Sequence, residues 1–445
     1  CQGIHAATYY ISPSGNDTTG DGSLALPWAS LHKATTQVIT AGDTIRVLPG
    51  VYYETEECFL AVGVNILGSG IGSSFINSQY SNYFSTFLTL SSPDGTTGNQ
   101  FISGLSIDGG YVNDSVFKTW VAIWVTGRGY VNINNCHITN FKNRGVIFDG
   151  NHATEPRQDT NVYAFYNRFE YNTILNSAEN NGAYGAGLLN IGGQAGMFIH
   201  NNNLVQNQRD SFANGWPIKY WDNGWLRGVN INNNTLIKSP FLGSYPGQGG
   251  DWDFAIELFN IQGLEVFNNY IEGSIDLNYN YMGNYDYCAW IHNNTFNHPV
   301  LNGRTESGII FEYRTESALV ERNIFRNISG GVIFNTRSYH DPGGNDTMAV
   351  TPPGGYSYLT DIVIRNNLFT NIYQGNGAAA GGGVIFHSES SNDTQINGLH
   401  IDYNTIVAQE GDDPWFGIAL LSLQNGMANN VNIRNNIVNG FLETW

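Results

Sequence analysis

A short segment of the form apolar-x-apolar-x-Asn-x-apolar recurs along most of this chain, and no other feature narrows its fold as much. It reads VNINNCHI at 131–138, YAFYNRF at 163–169, MFIHNNNLV at 197–205, VNINNNTL at 229–236, LEVFNNYI at 264–271 and AWIHNNTF at 289–296. It returns as LVERNIF at 319–325, IVIRNNLF at 362–369, LHIDYNTIV at 399–407 and VNIRNNIV at 431–438. The alternating stretches predict strands with one face buried. The Asn pair predicts a tight turn, because asparagine tolerates the left-handed conformation and bonds neighbouring backbone. Asparagines stacked in successive turns can also bond one another along a ladder.

A second strand lies between these segments. The series runs VAIWVTG (121–127), GVIFDG (145–150), GLLNIGG (187–193), WPIKYW (216–221), FAIELF (254–259) and GSIDLNY (273–279). It continues as GIIFEYR (308–314), GVIFNTR (331–337), GVIFHSE (383–389) and GIALLSL (417–423). Units this short cannot bury a core alone and must stack on their neighbours. The expected fold is therefore all-β, a parallel β-helix (solenoid) of about ten coils, roughly 50 Å long at the usual strand spacing. A propeller needs four strands per blade and is set aside. Residues 1–60 are expected to form the first coil with a short helix, and 61–445 the β-helix, within one domain.

Composition removes several function classes. Lys and Arg number 19 against 37 Asp and Glu, so the chain carries −18. That balance excludes a nucleic-acid partner, which needs cations to displace counterions. Charged residues make up only 13% of the chain, while asparagines number 57, so amides and hydroxyls supply the polar surface. No apolar run approaches the roughly 20 residues of a membrane span. Low charge and scarce lysine suit an extracellular or cell-surface protein. Cys1-Gln2-Gly3 reads either as a lipid-anchored mature terminus or as the start of a processed chain. Cys58, Cys136 and Cys288 match no metal spacing, and a Cys1–Cys58 disulfide is open if the N-terminus folds back.

The opening YYISPSGNDTTGDGSLALPWASLHKA (9–34), followed by DTIRVLPGVYYE (43–54), resembles the start of right-handed parallel β-helix proteins of the pectate-lyase-like superfamily. The resemblance implies a first coil and an N-terminal capping helix. Residues 27–39 suit that helix, with Pro27 at its start and Leu31, Ala34 and Val38 on one face. It implies no single activity, since lyases, glycosidases, epimerases and proteins without known chemistry share this start. The aspartate cluster with catalytic lysine of some pectate lyases is absent, as is the N-G-x-E pattern of the alginate lyase and chondroitinase B group. Asp17 and Asp21 are expected to shape a turn rather than bind calcium.

Aligning the second strands by their apolar residues draws one polar column: Asp149, Asn190, Lys219, Glu257, Asp276, Glu312, Asn335 and His387. Two positions on, Trp221, Phe259, Asn278, Arg314, Arg337 and Glu389 form another. A one-residue slip would turn Glu257 and Asp276 inward. As drawn, Lys219, Glu257, Asp276 and Glu312 occupy successive coils, with neighbours roughly 5 Å apart. Three carboxylates so close should raise at least one pKa, which suits the acid and the ionised partner of glycoside hydrolysis. Lys219 as base, with Arg314 or a calcium ion neutralising a uronate, would suit β-elimination instead. Calcium is the one cofactor left open, there or at a structural site.

Trp216, Tyr220, Trp221 and Trp225 precede these acids, Trp252 lies among them, and Tyr279, Tyr281, Tyr285 and Tyr287 follow. Such rings suit sugar faces, and they also pack loops. Trp221, Trp252, Tyr279, Arg314, Asn335, Arg337 and His387 are the candidate substrate contacts. Two function classes remain. One is a secreted or surface enzyme cleaving glycosidic bonds of a polysaccharide in a groove along the solenoid. The other is a non-catalytic adhesin that binds a surface glycan, or a subunit that self-assembles through its ends or sides.

Overall fold

The computed structural model describes residues 6–82, 84–111, 119–150, 163–177, 187–206, 216–221, 224–238, 254–300, 305, 307–336, 357–374, 381–388, 394–420 and 427–442. These form two compact units, one running to Gly224 and one beginning at Trp225. Each is a parallel β-helix. A coil contributes a first strand, a turn, a second strand, the asparagine turn and a third strand. Every strand pairs in parallel with its counterpart one coil away. In the second unit Phe254–Gln262 pairs with Ser274–Asn280, and Ser274–Asn280 with Ser307–Glu316. The third strands stack likewise, Thr235–Lys238 on Tyr270–Glu272 and Tyr270–Glu272 on Thr295–Asn297.

The core follows from alternation. In the second unit Ile256, Leu258, Ile275, Leu277, Ile309 and Phe311 are fully buried, and the residues between them face outward. Aromatic rings in register stack coil on coil. Phe296, Phe325 and Phe369 lie 4.5 and 4.6 Å apart, and Phe311, Phe334 and Phe386 lie 4.9 and 4.4 Å apart.

The asparagine pair splits its work. The first residue takes the left-handed turn: Asn233, Asn268, Asn293, Asn366 and Asn435 all have φ of 54–56°. The second points inward and joins a ladder. Asn269 Oδ1 accepts from both the backbone N–H and the Nδ2 of Asn234, and Asn294 Oδ1 does the same for Asn269. The ladder continues through Asn323, Asn367, Asn404 and Asn436. In the first unit it runs from the Cys136 N–H to Asn172 and on to Asn202.

The N-terminal helix is shorter than expected. It spans Leu31–Gln37, not 27–39, because Ser30 is its N-cap and Trp28 still bridges to Ile11 as a strand would. Asp17 accepts from Ala29 N and Ser30 N, and the buried Glu54 accepts from Leu31 N and His32 N. Leu31, Ala34 and Val38 are buried together, as their spacing implies. Asp21 shapes a turn by accepting from Ser23 N at 2.8 Å. Cys58 is a free, buried thiol; Cys1, and with it the Cys1–Cys58 pairing left open from the sequence, lies outside the described residues.

Candidate functional site

The outward face of the first strands carries two rows of side chains, and the observed register corrects the column drawn from sequence. In the second unit the first row holds Glu257, Asp276, Ile310 and Ile333, and the second holds Phe259, Asn278 and Glu312, whose backbone register continues to positions 335 and 387. Glu312 therefore lies opposite Asn278, not opposite Asp276. Asp149 is displaced in the same way in the first unit, pairing with Gly192 while Asn190 pairs with Ile147. The cause is an outward isoleucine. Strands such as GIIFEYR place an apolar residue in the first outward position and the polar one in the second. Strands such as SIDLNYN fill both positions with polar groups. The error is two residues, so every side chain keeps its face and loses only its neighbours.

The register brings two of the candidate acids face to face. Glu257 and Asp276 are directly opposed on adjacent strands, which puts their backbones about 4.8 Å apart. Both alternate with core residues, so they point away from the core. They are nonetheless shielded, at 8% and 3% exposure. Asn278 Nδ2 donates to Asp276 Oδ2 at 2.9 Å. Glu312 is half-buried, one coil and two residues from Asp276. That offset corresponds to about 8 Å between backbones, and to about 12 Å from Glu257.

The remaining candidates fall in varied places. Lys219 belongs to the first unit, opposite Asn190, with its ammonium 4.2 Å from the Trp216 ring centre. Trp221 packs edge-on against Trp124 at 5.6 Å and lies under the Arg144 guanidinium at 4.7 Å. Arg314 sits over the Tyr281 ring at 5.0 Å and pairs with Glu316. Tyr279 is buried and stacks on Tyr313 at 4.6 Å, with the two rings 9° from parallel. Trp216, Tyr220 and Trp225 are buried too. Asn335 and His387 are register partners on adjacent strands, and only their strand positions are described. Trp252, Arg337 and Glu389 lie outside the described residues. Among the described residues, no group of three or more His, Cys, Asp or Glu is arranged to hold a metal ion.

Sequence reasoning passed over Asn278 as a partner of Asp276. It also missed the outward face of the second strands, where acid–base pairs recur. In the second unit Glu265 accepts from Asn230 Nδ2 and meets His292 Nε2 at 3.2 Å, while Glu321 binds Arg322 and Arg365. Strict alternation within LEVFNN and AWIHNN was the signal that could have found these residues.

No family model matches the chain, and neither does any curated protein sequence. Among solved structures, a mannuronic acid specific polysaccharide family 6 lyase from human gut microbiota is similar at a TM-score of 0.52 and 13% identity. That match covers 96% of this chain and 82% of the other. The Agl-KA catalytic domain is similar at a TM-score of 0.51 and 14% identity, covering 91% of this chain and 64% of that one. Likeness at such low identity establishes the fold, a parallel β-helix as the sequence resemblance implied, and leaves the chemistry to the residues.

Proposed function

We propose that this is an extracellular polysaccharide-active protein that hydrolyses glycosidic bonds at the first-strand face of its second unit. The observation that carries the reading is the direct opposition of Glu257 and Asp276 on adjacent outward strands. Strands about 4.8 Å apart can bring two such carboxyl groups to the close spacing that retaining glycoside hydrolysis uses. The hydrogen bond from Asn278 suits Asp276 to the ionised role. Its carboxylate attacks the anomeric carbon as the glycosidic C–O bond breaks. Glu257, facing that negative charge, supplies the proton to the departing oxygen. Water then cleaves the glycosyl–Asp276 ester, with Glu257 taking the water's proton. Glu312, on the next coil, lines the cleft for a neighbouring sugar.

The test is a product assay of the full chain on neutral and uronate polysaccharides, following reducing ends and ultraviolet absorbance, with proton NMR of the first anomer formed. Reducing ends without new absorbance, and with retained configuration, are expected. Glu257→Gln and Asp276→Asn should each lower turnover by about 10²–10⁴, the usual contribution of a positioned acid or base. Inverted configuration would transfer the roles to Asp276 and Glu312, whose wider spacing suits that outcome. Absorbance of unsaturated uronates would refute hydrolysis. Silence of the wild type on every substrate would refute cleavage and leave glycan binding.

A further inference from the structure

The first unit carries an exposed aromatic face that the proposed hydrolysis does not use. It spans three second strands, the end of Val121–Asn134, then Arg168–Glu170 and Phe198–His200. Their outward rows are Asn132–Arg168–Phe198 and Asn134–Glu170–His200. Aromatic side chains stand at both ends of these rows. Tyr130 and Tyr166 occupy the preceding turn at 43% and 52% exposure, Phe165 ends the short strand before it at 42%, and Tyr171 occupies the following turn at 54%. Tyr130 and Tyr166 lie 5.4 Å apart, and Phe165 and Tyr166 6.1 Å. Phe198 is 37% exposed, with the Arg168 guanidinium 5.3 Å over its ring.

These tyrosines are unfavourable as structural residues. Tyr130, Tyr166 and Tyr171 have φ of 54°, 54° and 58°. A left-handed backbone costs a residue with a Cβ about 1–2 kcal/mol, except where Asn or Asp bonds locally. On neighbouring coils the same turn positions hold Gly196, Asn135 and Asn201. Nor does burial compensate, since all three rings stay about half exposed. Strain retained on a surface without burial points to function, and a contiguous exposed patch marks a binding surface more than scattered apolar residues do.

The floor between the rings identifies the ligand. Glu170 accepts from Asn132 Nδ2 at 2.8 Å and Arg168 Nη2 at 2.9 Å, and it meets His200 Nε2 at 2.5 Å. Arg168 and Glu170 cancel, so this pair offers hydrogen-bonding groups but no net charge to select a polyanion. Flat rings flanking a neutral, hydrogen-bonding floor match the apolar faces and hydroxyl rims of uncharged sugar rings. The rings stand at the turns on both ends of the Arg168–Glu170 strand and on neighbouring coils, a spread that suits an oligosaccharide more than a single ring.

We infer that the second-strand face of the first unit, walled by Tyr130, Tyr166, Tyr171 and Phe198 over the Arg168–Glu170–His200 floor, is a binding platform for a neutral polysaccharide chain. It is separate from the acid pair and does not depend on cleavage there. The test is affinity electrophoresis of the full chain in gels containing laminarin, hydroxyethyl cellulose, arabinoxylan or galactomannan, with alginate and polygalacturonate as anionic counterparts. At least one neutral polymer should retard the wild type. The triple variant Tyr130→Asn, Tyr166→Asn, Tyr171→Asn should bind that polymer at least tenfold more weakly. Its urea midpoint should be unchanged or higher, because asparagine relieves the turns. The proposal is overturned if no neutral polymer retards the wild type, if only the anionic polymers do, or if the variant binds undiminished. It is also overturned if the variant is clearly less stable, since the tyrosines would then be structural.

Discussion

Removing one rung of the asparagine ladder measures how much of the solenoid rests on it. Asn294 is 1% exposed and sits mid-ladder in the second unit. Its Oδ1 accepts from Asn269 N and Asn269 Nδ2, and its Nδ2 donates to Val266 O, His292 O and Asn323 Oδ1. In Asn294→Ala the buried Asn269 N–H loses its acceptor outright, at about 1–3 kcal/mol. Asn269 Nδ2 keeps Ile231 O, so its loss is only partial. With the lost bonds to Val266 and His292 at about 1 kcal/mol each, the total is about 3–5 kcal/mol. The preceding Asn293 provides the comparison. It is exposed, with φ of 56°, so Asn293→Ala should cost about 1–2 kcal/mol. Asn293→Gly should cost less, because glycine accepts that φ freely.

Urea unfolding followed by circular dichroism ranks the three variants. Amide hydrogen exchange at Asn269 supplies a local readout that does not assume a single unfolding step. The expected order of loss is Asn294→Ala, then Asn293→Ala, then Asn293→Gly, with Asn269 protection lost only in the first. A cost below about 1 kcal/mol for Asn294→Ala, given the value of one buried hydrogen bond, would refute the ladder as a source of stability. So would equal costs for Asn294→Ala and Asn293→Ala.

Burial pushes His298 down from 6.5 to about 4, and its Nδ1 accepts from Gly273 N at 2.8 Å. Its folded pKa lies below the unfolded one, so the unfolded chain takes up the proton first as pH falls. The stability due to neutral His298 is complete above pH 6.5 and declines toward pH 4, by up to about 3 kcal/mol. Urea midpoints across that range should show the advantage of wild type over His298→Gln shrinking with acid; a constant difference would refute it. Arg128, 1% exposed, donates to Ser91 O, Leu60 O, Gln100 Oε1 and Ser92 Oγ. Arg128→Lys cannot reach all four, and orphaned acceptors at about 1–3 kcal/mol each imply a loss of at least about 2 kcal/mol in the same assay. Burial raises the thiols of Cys58, Cys136 and Cys288, that of Cys136 to about 12. Alkylation and peptide mapping at pH 8 should therefore find all three unmodified until the chain is unfolded.

What could be read in advance depended on whether a residue's task leaves a mark in every coil. The asparagine turn does, because one position must accept a left-handed φ and the next must bond backbone above and below. Inward and outward faces were readable for a similar reason, since core contact forces alternation. Neighbours within the outward face were not. An outward isoleucine such as Ile310 is only half covered, and it makes GIIFE an apolar run that threads equally well in two registers. Asp276 therefore has Glu257 and Asn278 as its neighbours, with Glu312 set diagonally away. Aromatic side chains were the hardest to place, because composition counts rings without saying which are covered. Trp216, Tyr220, Trp225 and Tyr279, which suited sugar faces and loop packing alike, are buried, while Tyr130, Tyr166 and Tyr171 are about half exposed. A readable sign existed even so: an aromatic at a turn position that adjoining coils fill with Asn or Gly. Such a ring strains the backbone and gains little burial, so its retention needs a cause outside the core. In the first unit three of them border one face, and a ligand on that face is the economical cause.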